Sequence, residues 1–193
     1  MGGSSGGAGA AVSSGMVPSV HANDGGGSIR IPAACNGLVG MKPTRGRTPT
    51  GPEMGLFLWG MAVEFAETRT IRDSAALRDA LAGPDDGYFY AAMPPRRGFL
   101  AAAMTPPGKL RIGVRDRLPG AAPISREVRS RRNATRTLLG ELGHECSPLR
   151  VHDDTERYNE SSVRFWAATL GYFRAQFSAA TGRKIGPKTV EAQ

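Results

Sequence analysis

Residues 2–47 read GGSSGGAGAAVSSGMVPSVHANDGGGSIRIPAACNGLVGMKPTRGR and hold close to half of the chain's 26 glycines. Two glycine clusters within it bear serines: Ser4 and Ser5 inside GGSSGG, and Ser28 directly after Gly25, Gly26 and Gly27. Glycine lacks the Cβ that keeps backbone amides from crowding together, so such clusters let several N–H groups converge on one point. An anion, or an oxyanion forming during a reaction, fits such a point.

Working outward from there, the small residues from Ser5 to Met16 fill an exposed helix poorly but suit one packed tightly on a neighbour. A buried helix is therefore expected just after Ser4, ended by Pro18. Val17–Ala22 then reads as a short buried strand, Asn23–Ser28 as loop, Ile29–Cys35 as a turn of helix broken at Pro32, and Gly37–Met41 as a strand. Thr44–Gly55 carries turn residues and reads as loop, and the alternation near Ala62–Ala66 predicts a strand. Asp73 is expected to cap a helix through Leu77 and Leu81 that Gly83 and Pro84 stop. Asp85–Pro107 reads as a long loop with one helical turn at Phe99–Met104. A strand at Leu110–Val114, a helix at Ser125–Leu142, a strand at Glu145–Leu149 and a helix at Thr155–Ala180 complete the order. In the last helix Val163, Trp166, Leu170, Phe173 and Phe177 recur at spacings of three and four, which predicts a core face. Strands alternating with helices imply an α/β layered fold around a buried, mostly parallel or mixed sheet.

Lys and Arg number 25 against 17 Asp and Glu, a net charge of +8. The excess is scattered arginine without the interleaved aromatics of a base-stacking surface, so no nucleic-acid partner is expected. The dense run Arg126–Arg136 reads as a solvated helix face. Cys35 and Cys146 have no metal-ligand spacing, which suits a reduced, cytoplasmic protein; Cys35 is expected to be a small buried residue and His21 a packed core histidine. No leader pattern and no apolar run of about 18 residues is visible, so no membrane association is expected.

The segment GGSSGG followed by DGGGSIRIPAACNGLVGMKPTRGR resembles the core of the amidase signature hydrolases, and HANDGGGSIRIPA is similar to the bacterial branch with aryl-acylamidases and cyclic-amide hydrolases. The resemblance implies a layered α/β fold with a mixed sheet flanked by helices, and cleavage of a carboxamide C–N bond through an acyl-serine. It implies a Ser-cisSer-Lys triad in which Ser28 is the nucleophile and Ser4, 24 positions earlier and at a cis peptide bond, is the bridging serine. Gly25, Gly26 and Gly27 would form the oxyanion hole, with Asp24, Arg30 and Ser5 as structural support. The family's lysine lies well upstream of the bridging serine, and only Met1, Gly2 and Gly3 precede Ser4, so the triad is expected to be incomplete within these residues. Lys42 in MKPT matches the family core but not its catalytic lysine. The expected organisation is a partial amidase domain over 1–193, with 1–47 as catalytic core segment and 48–193 continuing the same domain. The expected partner is a small-molecule amide, no metal or cofactor is implied, and homo-oligomerisation is left open.

Two other classes compete. An amidase-like remnant that folds or binds without catalysis follows from the missing lysine. A phosphate-binding loop is weaker, because neither G-x-x-x-x-G-K-[ST] nor a G-x-G-x-x-G after a strand is present. G-x-S-x-G spacings at Ser4 and Ser5, with His21, His144 or His152 as base, would need a strand ahead of them that three residues cannot form.

Overall fold

A computed structural model describes residues 1–51, 55–84, 86–88, 90–115, 123–149, 154–186 and 189. The chain divides into two compact units, Met1–Pro106 and Pro107–Gln193.

The first unit contains α1 (Gly6–Ser13), β1 (Ser19–Asp24), α2 (Arg30–Asn36), β2 (Val39–Gly40), β3 (Val63–Thr68), α3 (Ile71–Leu81) and α4 (Phe99–Ala103). β3 is the central strand of the order β1-β3-β2 and pairs antiparallel with both neighbours. Its register with β1 runs from Ser19 opposite Thr68 to Asp24 opposite Val63. Ala22, Ile29 and Phe65 form the buried centre, with Ala8 of α1 and Leu77 of α3 packed against it.

Three local expectations are corrected here. Pro32 does not break a helix: α2 runs through it, because a proline in the first turn removes an N–H that this position can spare. The cap of α3 is Thr70, whose hydroxyl accepts from the Asp73 N–H, while Asp73 sits within the first turn. A threonine in extended backbone just before the first helical residue is the better placed acceptor. β1 also reaches Asp24, two residues further than the apolar run suggested.

The second unit contains β4 (Arg111–Val114), α5 (Arg126–Glu141), β5 (Glu145–Pro148) and α6 (Thr155–Thr181). β4 and β5 pair parallel, from Arg111 opposite Glu145 to Val114 opposite Pro148, and α5 belongs to the connection that parallel pairing demands. Parallel pairing is thus confined to this unit among the described strands. The apolar stripe of α6 is not core: Val163, Leu170 and Phe177 are 70%, 55% and 59% exposed, and Thr169 is the helix's buried residue. Periodicity fixes which side of a helix is apolar, not what covers it. Among the described residues no helix is long and apolar enough to cross a membrane.

Candidate active site

β1 delivers the chain from the sheet into the loop Gly25–Ser28, and α2 carries it away. Gly27 stands at φ +136°, a backbone conformation that other residues rarely adopt, so this position favours glycine. The Ile31 N–H donates to the Gly27 carbonyl at 2.7 Å, closing the loop onto the helix that follows. Among the described residues, no protein acceptor takes up the N–H of Gly26, Gly27 or Ser28. Ser28 is half-buried and Gly26 exposed.

The second serine cluster lies against this loop. The Ser5 N–H donates to the Ser28 carbonyl at 3.3 Å, and the Ser5 hydroxyl donates to the Asn23 carbonyl at 3.4 Å. Pro32 explains why the Ser28 carbonyl is available. A regular α-helix would direct the N–H of residue 32 to that oxygen, and proline has none to give. Ser4, one residue back, is joined to Gly3 by a cis peptide bond. The structure therefore brings Ser5 against the Gly25–Ser28 loop, with Ser4 next to it in the chain, and among the described residues no hydrogen bond joins the Ser4 and Ser28 hydroxyls.

An ionic clamp surrounds the loop. Asp24 is fully buried, and its Oδ2 accepts from the Ile29 N–H at 3.3 Å, the Arg30 N–H at 3.4 Å and Arg30 Nε at 2.8 Å. Its Oδ1 accepts from Arg30 Nη2 at 3.0 Å. Burial works to raise the Asp24 pKa, but the hydrogen bonds and charge of Arg30 and the Ile29 N–H outweigh it, and the carboxyl stays below its ordinary value. Lys42 approaches from the other side. Its Nζ donates to the Gly25 carbonyl at 2.8 Å and the Met61 carbonyl at 3.0 Å, and lies 3.8 Å from Asp24 Oδ1. Burial pulls the Lys42 ammonium below its ordinary pKa; Asp24 opposes this, while Arg30 and Arg45 add to it.

Other residues singled out in the sequence are placed elsewhere. His21 is not packed in the core. Its side chain is 70% exposed and its Nε2 lies 2.6 Å from Glu64 Oε2, because its position on β1 points outward. Cys35 is exposed rather than buried, near the end of α2, and both cysteines are free. His144 Nδ1 accepts from the Leu110 N–H in the second unit, and His152 lies outside the described residues. Among the described residues no group of three or more His, Cys, Asp or Glu is arranged to hold a metal ion.

Two features escaped the sequence reading. One is the bridging position of Lys42, which the sequence marked as part of the MKPT core without a role. The other is Glu67 on β3, fully buried, with neither carboxylate oxygen hydrogen-bonded among the described residues. Burial alone pushes its pKa up to about 7. α1 approaches it so closely that a Cβ on Gly9 would lie 3.0 Å from Glu67 Oε2 and 2.9 Å from Asn36 Nδ2.

Known proteins are similar to this chain in sequence and fold. A putative amidase, AmiC, of Mycobacterium bovis is 40% identical over 195 residues, covering 98% of this chain and 38% of the relative. The solved structure of 6-aminohexanoate cyclic dimer hydrolase complexed with substrate superimposes with a TM-score of 0.86 at 32% identity, covering 98% of this chain and 40% of that one. A bacterial aryl acylamidase of the amidase signature family gives 0.76 at 27% identity, covering 97% and 40%. The chain thus spans about two fifths of the length of the relatives it matches. The Amidase family matches residues 1–192, and the chain belongs to that family.

Proposed function

We propose that this chain carries the nucleophile and oxyanion-binding part of an amidase that hydrolyses the C–N bond of a small-molecule carboxamide. Ser28 attacks the carbonyl carbon, and its proton passes through the Ser4 hydroxyl toward a lysine outside these 193 residues. The tetrahedral intermediate places its oxyanion against the N–H groups of the Gly25–Ser28 loop, collapses to an acyl-Ser28 as the amine leaves, and water releases the acid. No metal or cofactor takes part in this scheme. The observation that carries the reading is the Ser5 N–H to Ser28 carbonyl bond beside a loop with three N–H groups unclaimed among the described residues. The two free thiols of Cys35 and Cys146 suit a reducing, cytoplasmic setting.

The test compares the full-length polypeptide, its Ser28→Ala and Ser4→Ala forms, and the 193-residue chain alone on an anilide and a cyclic amide. Ser28→Ala should lose about 10⁴-fold or more in kcat, and the short chain should show only trace turnover. Full activity in Ser28→Ala sinks the nucleophile assignment. Full activity in the short chain sinks the external lysine. One observation favours a second reading, a silent remnant: the Lys42 ammonium already serves two carbonyls and is not free to act as a base. An inactive full-length polypeptide that folds and binds amides would establish it.

A further inference from the structure

Lys42 reaches across from the end of β2 to the loop that carries the candidate oxyanion hole, and its contacts there are to backbone. Its Nζ donates to the carbonyls of Gly25, inside the loop, and Met61, just ahead of β3. A trans peptide unit is planar, with its C=O and the following N–H pointing in opposite directions. Among the described residues Gly3–Ser4 is the cis bond, so the unit joining Gly25 to Gly26 is trans. Fixing the Gly25 carbonyl toward Lys42 therefore fixes the Gly26 N–H to point away from Lys42. That N–H has no protein acceptor among the described residues, while Gly26 itself is exposed.

We propose that Lys42 is a positioning residue for the amide hydrolysis argued above: by holding the Gly25 carbonyl it aims the Gly26 N–H at the oxyanion of the tetrahedral intermediate. The inference rests on the reading of Ser28 as nucleophile. Three features make Lys42 suited to the task. A hydrogen bond from a charged donor is stronger than a neutral one, and a carbonyl engaged in it polarises its own peptide unit, so the Gly26 N–H becomes a better donor as well as a better aimed one. The second bond, to Met61, ties the loop to the chain entering the central strand and so to the sheet. The third is sign: the ammonium lies 3.8 Å from Asp24 Oδ1, and that carboxylate in turn holds the N–H groups of Ile29 and Arg30. The loop is thus gripped at its first glycine by a cation and at its exit by an anion that Arg30 also pairs. Lys42 touches no reacting atom in this scheme.

A device that aims a donor acts on the transition state more than on the bound substrate, and this separates it from a residue that merely holds the fold together. In the full-length polypeptide, Lys42→Met should lower kcat about 10- to 100-fold with KM held within about twofold, somewhat less than the loss from deleting a hole donor outright. Affinity for an aldehyde analogue of the substrate, which adds to Ser28 and places an oxyanion in the hole, should fall by the same factor. Affinity for the carboxylic acid product should not move. Lys42→Arg, which keeps a charged donor, should recover most of the lost kcat. An unchanged kcat in a folded Lys42→Met, or a rise in KM with kcat kept, overturns the proposal. If Lys42→Met does not fold, Lys42→Gln decides by the same two criteria. Ser28→Ala run alongside keeps the two ideas apart. Full activity there breaks the nucleophile reading beneath the proposal, whereas an inactive Ser28→Ala beside a fully active Lys42→Met breaks the clamp alone.

Discussion

The two ends of the β1–β3 ladder each bury a carboxyl completely, Asp24 at one and Glu67 near the other, and treat it in opposite ways. Asp24 accepts four hydrogen bonds from only two residues, Arg30 and Ile29: the Arg30 guanidinium reaches both oxygens, and two backbone N–H groups reach Oδ2. Its pKa is held down against the pull of burial. Glu67 has no donor among the described residues, burial is the sole cause of its shift, and its pKa rises to about 7. Between them Glu64, paired with His21, is raised by burial and drawn partway back by the imidazole. Equal burial therefore does not give equal charge; the donors supplied by neighbouring segments decide it. The end that builds the candidate active site is the one that is fully donated to, and it holds a fixed negative charge where a loop has to be rigid.

The largest effect should come from stripping the well-donated end. Asp24→Ala leaves the Ile29 and Arg30 N–H groups and the Arg30 guanidinium without their acceptor, and should cost about 3 to 5 kcal/mol of stability. Activity of the full-length polypeptide should fall with it, since the exit of the Gly25–Ser28 loop loses its anchor. Urea unfolding of the two proteins measures the first and anilide turnover the second. A loss under about 1 kcal/mol would mean that solvent replaces those bonds and that the two ends of the ladder are alike.

Glu67 should show its difference through pH. Its carboxyl has a pKa raised in the folded state, so the folded protein keeps the proton while the unfolded chain, at its ordinary value of 4.5, has released it. Stability is then fully present below about 4.5 and is lost as pH rises through about 7. A shift of this size corresponds to roughly 3 kcal/mol over the window. Asp24 has the opposite sign, its contribution being present above the ordinary carboxylate range and lost as pH falls below it. Glu67→Gln, neutral at every pH, should remove the slope between pH 5 and 8 and be the more stable protein at pH 8. Parallel pH profiles for wild type and Glu67→Gln would show that the folded protein ionises Glu67 at no cost.

These features were legible in the sequence to different degrees, for physical reasons. The Gly25–Gly27 run and Ser28 announce a loop of converging amides because glycine's freedom is local to its own residue. Asp24 and Arg30 were expected as support for the loop they flank, while the pairing between them came only with the structure. Pro32 misled as a helix breaker, because whether a proline interrupts a helix depends on where the helix starts, and Ile29 and Arg30 give no capping signal. Glu67 lies one residue beyond the strand expected at Ala62–Ala66, and alternation says which residues share a face but not that a helix as small-sided as α1 will seal that face. His21 failed for the converse reason. It stands in a strand with a buried centre, yet its side of the sheet is open.

The smallest effect should fall on the intermediate case. His21 is mostly exposed, and an ion pair with one partner in solvent is worth about 0 to 1 kcal/mol after side-chain ordering and screening. His21→Ala should therefore cost less than about 1 kcal/mol in urea unfolding. It should still move Glu64, because the imidazole's charge and hydrogen bond are what oppose burial there. Without them the Glu64 carboxyl should titrate higher, toward the behaviour of Glu67, as read from the carboxyl ¹³C shift against pH. The three carboxyls would then rank by donors received, with Asp24 lowest and Glu64 moving up on loss of its one partner. A Glu64 titration that ignores His21→Ala would break that ranking, and would locate the control of its charge in burial alone.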